Sequence, residues 1–261
     1  MRRELIFAVI FTASVITGLS ARETGYEIMA EALNRSNIVT MQADLKLTLR
    51  SSTGDTRVRE IKFYSKTDPE TDLTKMLMKF VYPKDVTGTG FLSIENDNRP
   101  DDRFLYMPAL RQIKKIASSG SGGNFMSSDF TYYDIGMPKL DDWEYQLLRE
   151  ETLNDRPAYV IQALPKTPQV EEDTGYSKII QWVAKDDLSI FHAEYYDPSG
   201  ELKKKLDVKK FEMIKNVPFA TDMVMHDVII DHTSRMTFGG LEIDLLIRDD
   251  FFTPRVLQQG H

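Results

Sequence analysis

The side chains that most often carry chemistry are few in this chain, and their spacing works against it. The histidines are His192, His226, His232 and His261, and there is no cysteine. That absence removes thiolate nucleophiles, Cys-ligated zinc, disulfides and lipid attachment to an N-terminal cysteine. His226 and His232 frame the run His-Asp-Val-Ile-Ile-Asp-His. Read as one strand, this run holds the two imidazoles ~20 Å apart at ~3.3 Å per residue, too far to share an ion. Asp227 and Asp231 then belong to a solvated strand face. No His-Glu-x-x-His occurs, so no metal is expected. Gly120-Ser121-Gly122 lacks the G-x-S-x-G spacing of a nucleophile turn. Gly88-Thr89-Gly90 is a lone G-x-G without a following lysine or helix pattern, which reads as a turn or bulge. The acidic pairs Asp101-Asp102, Asp141-Asp142, Glu171-Glu172, Asp186-Asp187 and Asp249-Asp250 sit at turns. Adjacent strand residues point to opposite faces, so each pair is a solvated corner and not an acid/base dyad. The sequence is expected to be no enzyme and to use no cofactor.

One charged cluster does stand out. Arg111, Lys114 and Lys115 place three cations within five residues of a chain whose formal charge is -7. They are read as a patch near a cavity rim that steers an anionic headgroup or an acidic partner surface, or equally as a lysine-protected strand edge. The acidic balance argues against a phosphate-backbone footprint, so no nucleic acid partner is expected.

The elements that must position any site are mostly strands. Met41, Ala43, Leu45, Leu47 and Leu49 alternate with Gln42, Asp44, Lys46, Thr48 and Arg50, a period of two that one helical face cannot produce. A turn at Ser51–Asp55 leads into a strand with Ile61 and Phe63 on one face, and a third strand carries Met76, Met78 and Phe80 before Pro83 stops it. Similar segments recur to the end of the chain, including 202–214, 221–232 and 236–247. Asp197-Pro198-Ser199-Gly200 places proline and glycine where a tight turn takes them. Near the start, a short helix to about Arg35 is expected, with Tyr26, Met29, Ala30 and Leu33 as its apolar stripe. No linker divides residues 22–261, which read as a single domain.

Two segments depart from this rhythm. Residues 1–21 carry Arg2 and Arg3, an apolar run from Leu5 to Leu19, and small residues up to Ala21. They read as an export signal cleaved after Ala21, with an uncleaved anchor as the alternative. Residues 118–133 join a Gly/Ser run to Phe125, Met126, Phe130, Tyr132 and Tyr133. A loop of this length inside a compact domain suggests a lid hinged on Gly120, Gly122 and Gly123, with Phe125, Met126 and Phe130 as its apolar face. An aromatic cluster plugging one end of the core explains the same residues.

Several motifs taken together resemble a known family. They are Phe80-x-x-Pro83, Gly88-Thr89-Gly90-Phe91-Leu92, Phe104-Leu105-Tyr106-Met107-Pro108-Ala109-Leu110 with Arg111, Lys114 and Lys115, Gly123-x-Phe125-Met126-x-Ser128-Asp129-Phe130, and the ending Leu246-x-x-Asp249-x-Phe251-Phe252-Thr253-x-Arg255-x-Leu257. The combination resembles the LolA-like outer membrane lipoprotein-sorting proteins, in the branch found beside RND-type exporters. The resemblance implies a mainly β, LolA/LolB-like fold with a few helices: an incompletely closed antiparallel β-barrel covered by helices around an apolar cavity. It also implies a periplasmic carrier that takes a lipid or lipoprotein acyl chain from an inner-membrane transporter toward an outer-membrane acceptor. The alternatives are an accessory or sensor domain docking on the transporter, and an exported hydrolase. Leu45, Leu47, Phe63, Met76, Met78, Phe80, Met223 and Met225 are the expected cavity wall, where thioethers adapt to flexible chains, although such methionines also serve as plain core.

Overall fold

The computed structural model describes residues 16–33, 38–136 and 139–259. Helix α1 spans Ile16–Leu33. Six strands follow: β1 Thr40–Arg50, β2 Thr56–Thr67, β3 Thr74–Tyr82, β4 Gly90–Ile94, β5 Asp102–Met107 and β6 Gln112–Ile116. A crossing segment, 117–142, holds the short helix α2 (Tyr132–Ile135). The second half contains β7 Trp143–Leu153, β8 Arg156–Pro165, α3 Pro168–Thr174, β9 Lys178–Ala184, β10 Ile190–Tyr196, β11 Leu202–Ile214, β12 Val217–Asp227 and β13 His232–Ile243, then α4 Pro254–Gln258.

All thirteen strands among the described residues form one antiparallel sheet in the order β6-β5-β4-β3-β2-β1-β13-β12-β11-β10-β9-β8-β7. Every neighbour in space is a neighbour in sequence except the pair β1–β13, which joins the two ends of the chain. The sheet edges, β6 and β7, are therefore consecutive strands that do not pair. That is why a long segment lies between them: 117–142 must cross the open side of an incompletely closed barrel. The expected fold class is the one observed.

Burial along β1 alternates as its sequence does, with Leu45, Leu47 and Leu49 buried and Lys46 exposed. Three details differ from the sequence reading. The run read as one strand over 221–232 is a hairpin: β12 ends at Asp227, Asp231 takes a left-handed φ of 50°, and His232 faces Asp227 across the turn. The last strand stops at Ile243 and not at Ile247, because Asp244 also turns left-handed, at φ 58°. Helix α1 packs Ile28, Met29, Ala32 and Leu33 against the β7–β9 side, while Tyr26 is exposed. The observed stripe includes Gly25, where a Cβ would come 2.8 Å from the Leu147 amide nitrogen. Residues 1–15, which hold most of the expected export signal, and 34–35, the expected end of the helix, lie outside the described residues. No described helix is long and apolar enough to cross a membrane.

After β13 the chain returns over the convex face of β2–β5. Phe252 and Leu257 pack there on Leu77 and Leu92, and Gly90 is required because a Cβ would meet Leu257 Cδ2 at 2.8 Å.

Candidate functional site

The concave face gathers one apolar cluster from both halves of the sheet. Leu45, Leu47, Phe63, Met76, Met78, Phe80 and Met225 are buried in it, and Met223 packs against it half-buried. All eight residues named as cavity wall are thus neighbours. Burial is uneven across the cluster. Around β3 and β4 the inward residues are closed off, whereas Phe219, Met223, Phe238, Leu241 and Ile243 on β12 and β13 stay half-exposed. Phe63 meets Phe238 edge-on at 5.5 Å between ring centroids, and Phe219 meets the same ring at 5.4 Å.

The segment 118–133 fills the closed part. Phe125 is 0% exposed and packs with Phe91 (5.3 Å), Tyr132 (5.5 Å) and Phe80 (6.1 Å). Phe130 is buried beside it, and Met126 is half-buried in the same cluster. Side chains on inward strand positions hold this plug. Arg59 on β2 donates to the Met126 carbonyl, and its burial lowers its pKa. Arg103 on β5 donates to Ser121 Oγ at 2.8 Å and to Asp101 Oδ2 at 2.8 Å. Asp129, 2% exposed, accepts from Ser234 Oγ at 2.6 Å and pairs with His232 Nδ1 at 2.8 Å, while its amide donates to Ser234 Oγ at 2.9 Å.

None of Gly120, Gly122 and Gly123 adopts a positive φ; Met126 and Ser127 do, at 48° and 59°. Gly122 is instead a close-approach residue, since a Cβ there would come 2.9 Å from the Thr174 carbonyl oxygen at the end of α3. The basic trio is also divided. Arg111 lies in the β5–β6 turn, Lys114 opposes Leu105 of the concave cluster, and Lys115 opposes Phe104 of the convex one. Alternation along edge strand β6 puts the two lysines on opposite faces, so they make no single patch. Lys115 pairs with Asp102 at 2.6 Å.

A second polar group lies deeper. Tyr176 donates to Asp134 Oδ2 at 2.9 Å, and the buried Lys204 ammonium is 3.5 Å from the Tyr176 hydroxyl. Burial raises the phenol and lowers the lysine from their ordinary values. Asp134 also closes a capping box with Thr131 at the start of α2, so this group fixes the exit of the crossing segment.

Two chemical readings can be settled on geometry. Ser234 and His232 both bond to Asp129 and not to each other. In a Ser-His-Asp relay the imidazole takes the serine proton, so this trio is not arranged as one; its bonds tie the crossing segment to β13. His226 and His232 are close across the hairpin, but the register sets them on opposite faces, His226 toward Asp231 and His232 toward Asp129. They still cannot share an ion, for a reason other than strand length. Among the described residues no group of three potential ligands is placed to hold a metal.

A family model described as "-like: Uncharacterized protein" matches residues 72–259, and the chain belongs to that family. A solved structure described as an outer membrane lipoprotein-sorting protein domain from Vibrio parahaemolyticus is 27% identical, with a TM-score of 0.85, covering 91% of this chain and 100% of that one. A DUF1329 family protein from Desulfovibrio piger is 26% identical at a TM-score of 0.85, covering 91% of this chain and 99% of that one. A LolA superfamily protein from Nitrosomonas europaea is 20% identical at a TM-score of 0.67, covering 92% and 98%, and shows the shared fold. No curated protein matches the sequence.

Sequence reasoning missed the plug's holders in this protein: Arg59, Arg103, Ser234, His232, Tyr176 and Lys204. A signal was present. Arg59 shares the strand parity of Ile61 and Phe63, and Lys204 that of Leu206, so each is a charge at a position the alternation assigns to the interior.

Proposed function

We propose that this LolA-like protein is a periplasmic carrier that shelters an acyl chain of a lipid or lipoprotein on its concave face. The observation that carries the reading is the half-exposed wall of Phe219, Met223, Phe238, Leu241 and Ile243, continuous with the buried cluster and bordered by Met126. Burying a chain is worth ~0.8 kcal/mol per CH₂, enough to hold cargo without a catalytic group. The segment 118–133 acts as the mobile part: its ring face already occupies the interior that a longer chain would need. Export by residues 1–21, loading from an RND-type inner-membrane transporter and delivery toward an outer-membrane acceptor complete the proposal, and the concave-side Lys114 is the cation placed to meet an anionic headgroup.

The complete burial of Phe125 favours one other reading, an accessory domain with a filled core that docks on the transporter without cargo. Native mass spectrometry with lipid extraction on protein from the periplasm separates the two. Bound lipid that is lost in Phe238→Glu supports the carrier. Protein that stays free of lipid, even when offered lipid vesicles, supports the docking domain.

A further inference from the structure

A second cleft lies on the opposite, convex side of the sheet. Residues 244–259 cross that face as a strap with two fastenings. At one, Lys66 Nζ donates to the Ile247 carbonyl at 2.9 Å and stands 3.1 Å from Asp249 Oδ1, with Lys75 Nζ 3.6 Å from the same oxygen. At the other, Lys79 Nζ donates to the Gln259 carbonyl at 2.7 Å. Beneath the strap is a cleft of ≈ 870 Å³, lined by Tyr64, Lys79, Leu246, Phe251, Arg255 and Val256 among others. That size lies within the usual range for small-molecule sites.

The chemistry of the lining is amphiphilic. Tyr64 and Phe251 stack edge-on at 4.9 Å and form an apolar floor. Leu246 is 99% exposed at the cleft, an unusual place to leave a leucine unless something covers it. Lys79 is only 5% exposed, and among the described residues its one hydrogen bond goes to a neutral carbonyl, with no carboxylate in salt-bridge reach. A buried ammonium without an anion is costly, and burial alone lowers this lysine from its ordinary value. Arg248 and Arg255 add cations to the lining, Arg248 being paired with Asp250 at 2.8 Å.

We propose that this cleft binds a single-chain amphiphilic anion, with its headgroup at Lys79 and Arg255 and its acyl chain along Phe251, Val256 and Leu246. A free fatty acid and a lysophospholipid share this chemistry. The site is separate from the concave wall and does not depend on the carrier reading.

The test uses delipidated full-length protein and isothermal titration with palmitate, palmitoyl-lysophosphatidylglycerol and uncharged monopalmitoylglycerol. Saturable binding of either anion, at least tenfold tighter than the uncharged lipid, supports the site, and the anion that binds tighter identifies the source. Lys79→Gln should weaken it at least tenfold. Arg255→Glu, at an exposed position that leaves folding intact, should weaken it threefold or more. All titrations are made in the Phe238→Glu background, which removes binding to the concave wall, so that only the convex cleft is read. No saturable binding in that background, equal binding of the uncharged lipid, or unaltered affinity on adding Arg255→Glu would overturn the proposal.

Discussion

Asp129 and Ser234 are 105 positions apart in sequence, yet they exchange two hydrogen bonds: the serine hydroxyl reaches the carboxylate at 2.6 Å and accepts from the aspartate amide at 2.9 Å. The crossing segment is thus tied at its midpoint to β13, the strand that joins the two halves of the sheet. Ser234→Ala leaves a buried carboxylate short of one donor and a buried amide without an acceptor, at a cost of ~1–3 kcal/mol. Thermal denaturation should show that loss, and hydrogen exchange should quicken across 121–133 more than across β1. Uniform quickening of the whole chain would mean that the latch serves only global stability.

The meander was legible because one-sided burial writes a period of two directly into strands such as β1, and because Asp197-Pro198-Ser199-Gly200 is chemically a turn; Asp197 Oδ1 accepts from the Ser199 and Glu201 amides at 2.9 and 3.0 Å. The β12–β13 turn was not legible, since Val228, Ile229 and Ile230 look like strand. There the Asp227 carboxylate makes the turn by accepting from the Ile229 and Ile230 amides at 3.0 and 3.3 Å. The shared apolar interior face could be read from parity alone, and an aromatic plug was one of two readings of 118–133. What holds the plug could not be read, because the bonds from Arg59, Arg103 and Ser234 join residues on different elements.

Gly122 and Gly120 make a paired test of what the glycines do. A methyl group at 122 would press on the Thr174 backbone at 2.9 Å, while one at 120 would meet only the Ile116 side chain at 3.5 Å, an ordinary contact. Gly122→Ala should cost ~1–3 kcal/mol, as overpacking against backbone does. Gly120→Ala should leave the chemical denaturation midpoint nearly unchanged. If both substitutions slowed lipid uptake equally without loss of stability, the glycines would serve as hinges and not as close-approach residues.

The charge at Asp102 predicts a pH dependence. Arg99 first, then Lys115, hold its carboxyl well below the usual carboxylate range, through contacts of 2.6 Å each. A depressed folded pKa contributes stability that is present above the unfolded value of ~3.9 and is lost as pH falls through the folded value. Lys115→Gln should therefore flatten the loss of stability below about pH 4, whereas Lys114→Gln should leave it unchanged. Urea midpoints measured from pH 2 to 7 check this, and an equal effect of both substitutions would show that overall charge, and not the Asp102 pairing, sets the slope.

Phe125 links stability to the proposed lipid binding. Its ring is fully buried against Phe80, Phe91 and Tyr132, so Phe125→Ala should destabilise the lipid-free protein by ~3–5 kcal/mol, as loss of a core aromatic does. The same ring occupies the space into which an acyl chain would extend from the half-exposed wall. Removing it takes away the competitor, so lipid should bind the variant more tightly and return part of the lost stability through preferential binding to the folded state. The measurement is the melting temperature of wild type and variant with and without a saturating acyl lipid. A larger lipid-induced rise in the variant is expected. An equal rise in both would place the chain wholly on the Phe219–Phe238 side and leave Phe125 as fixed core.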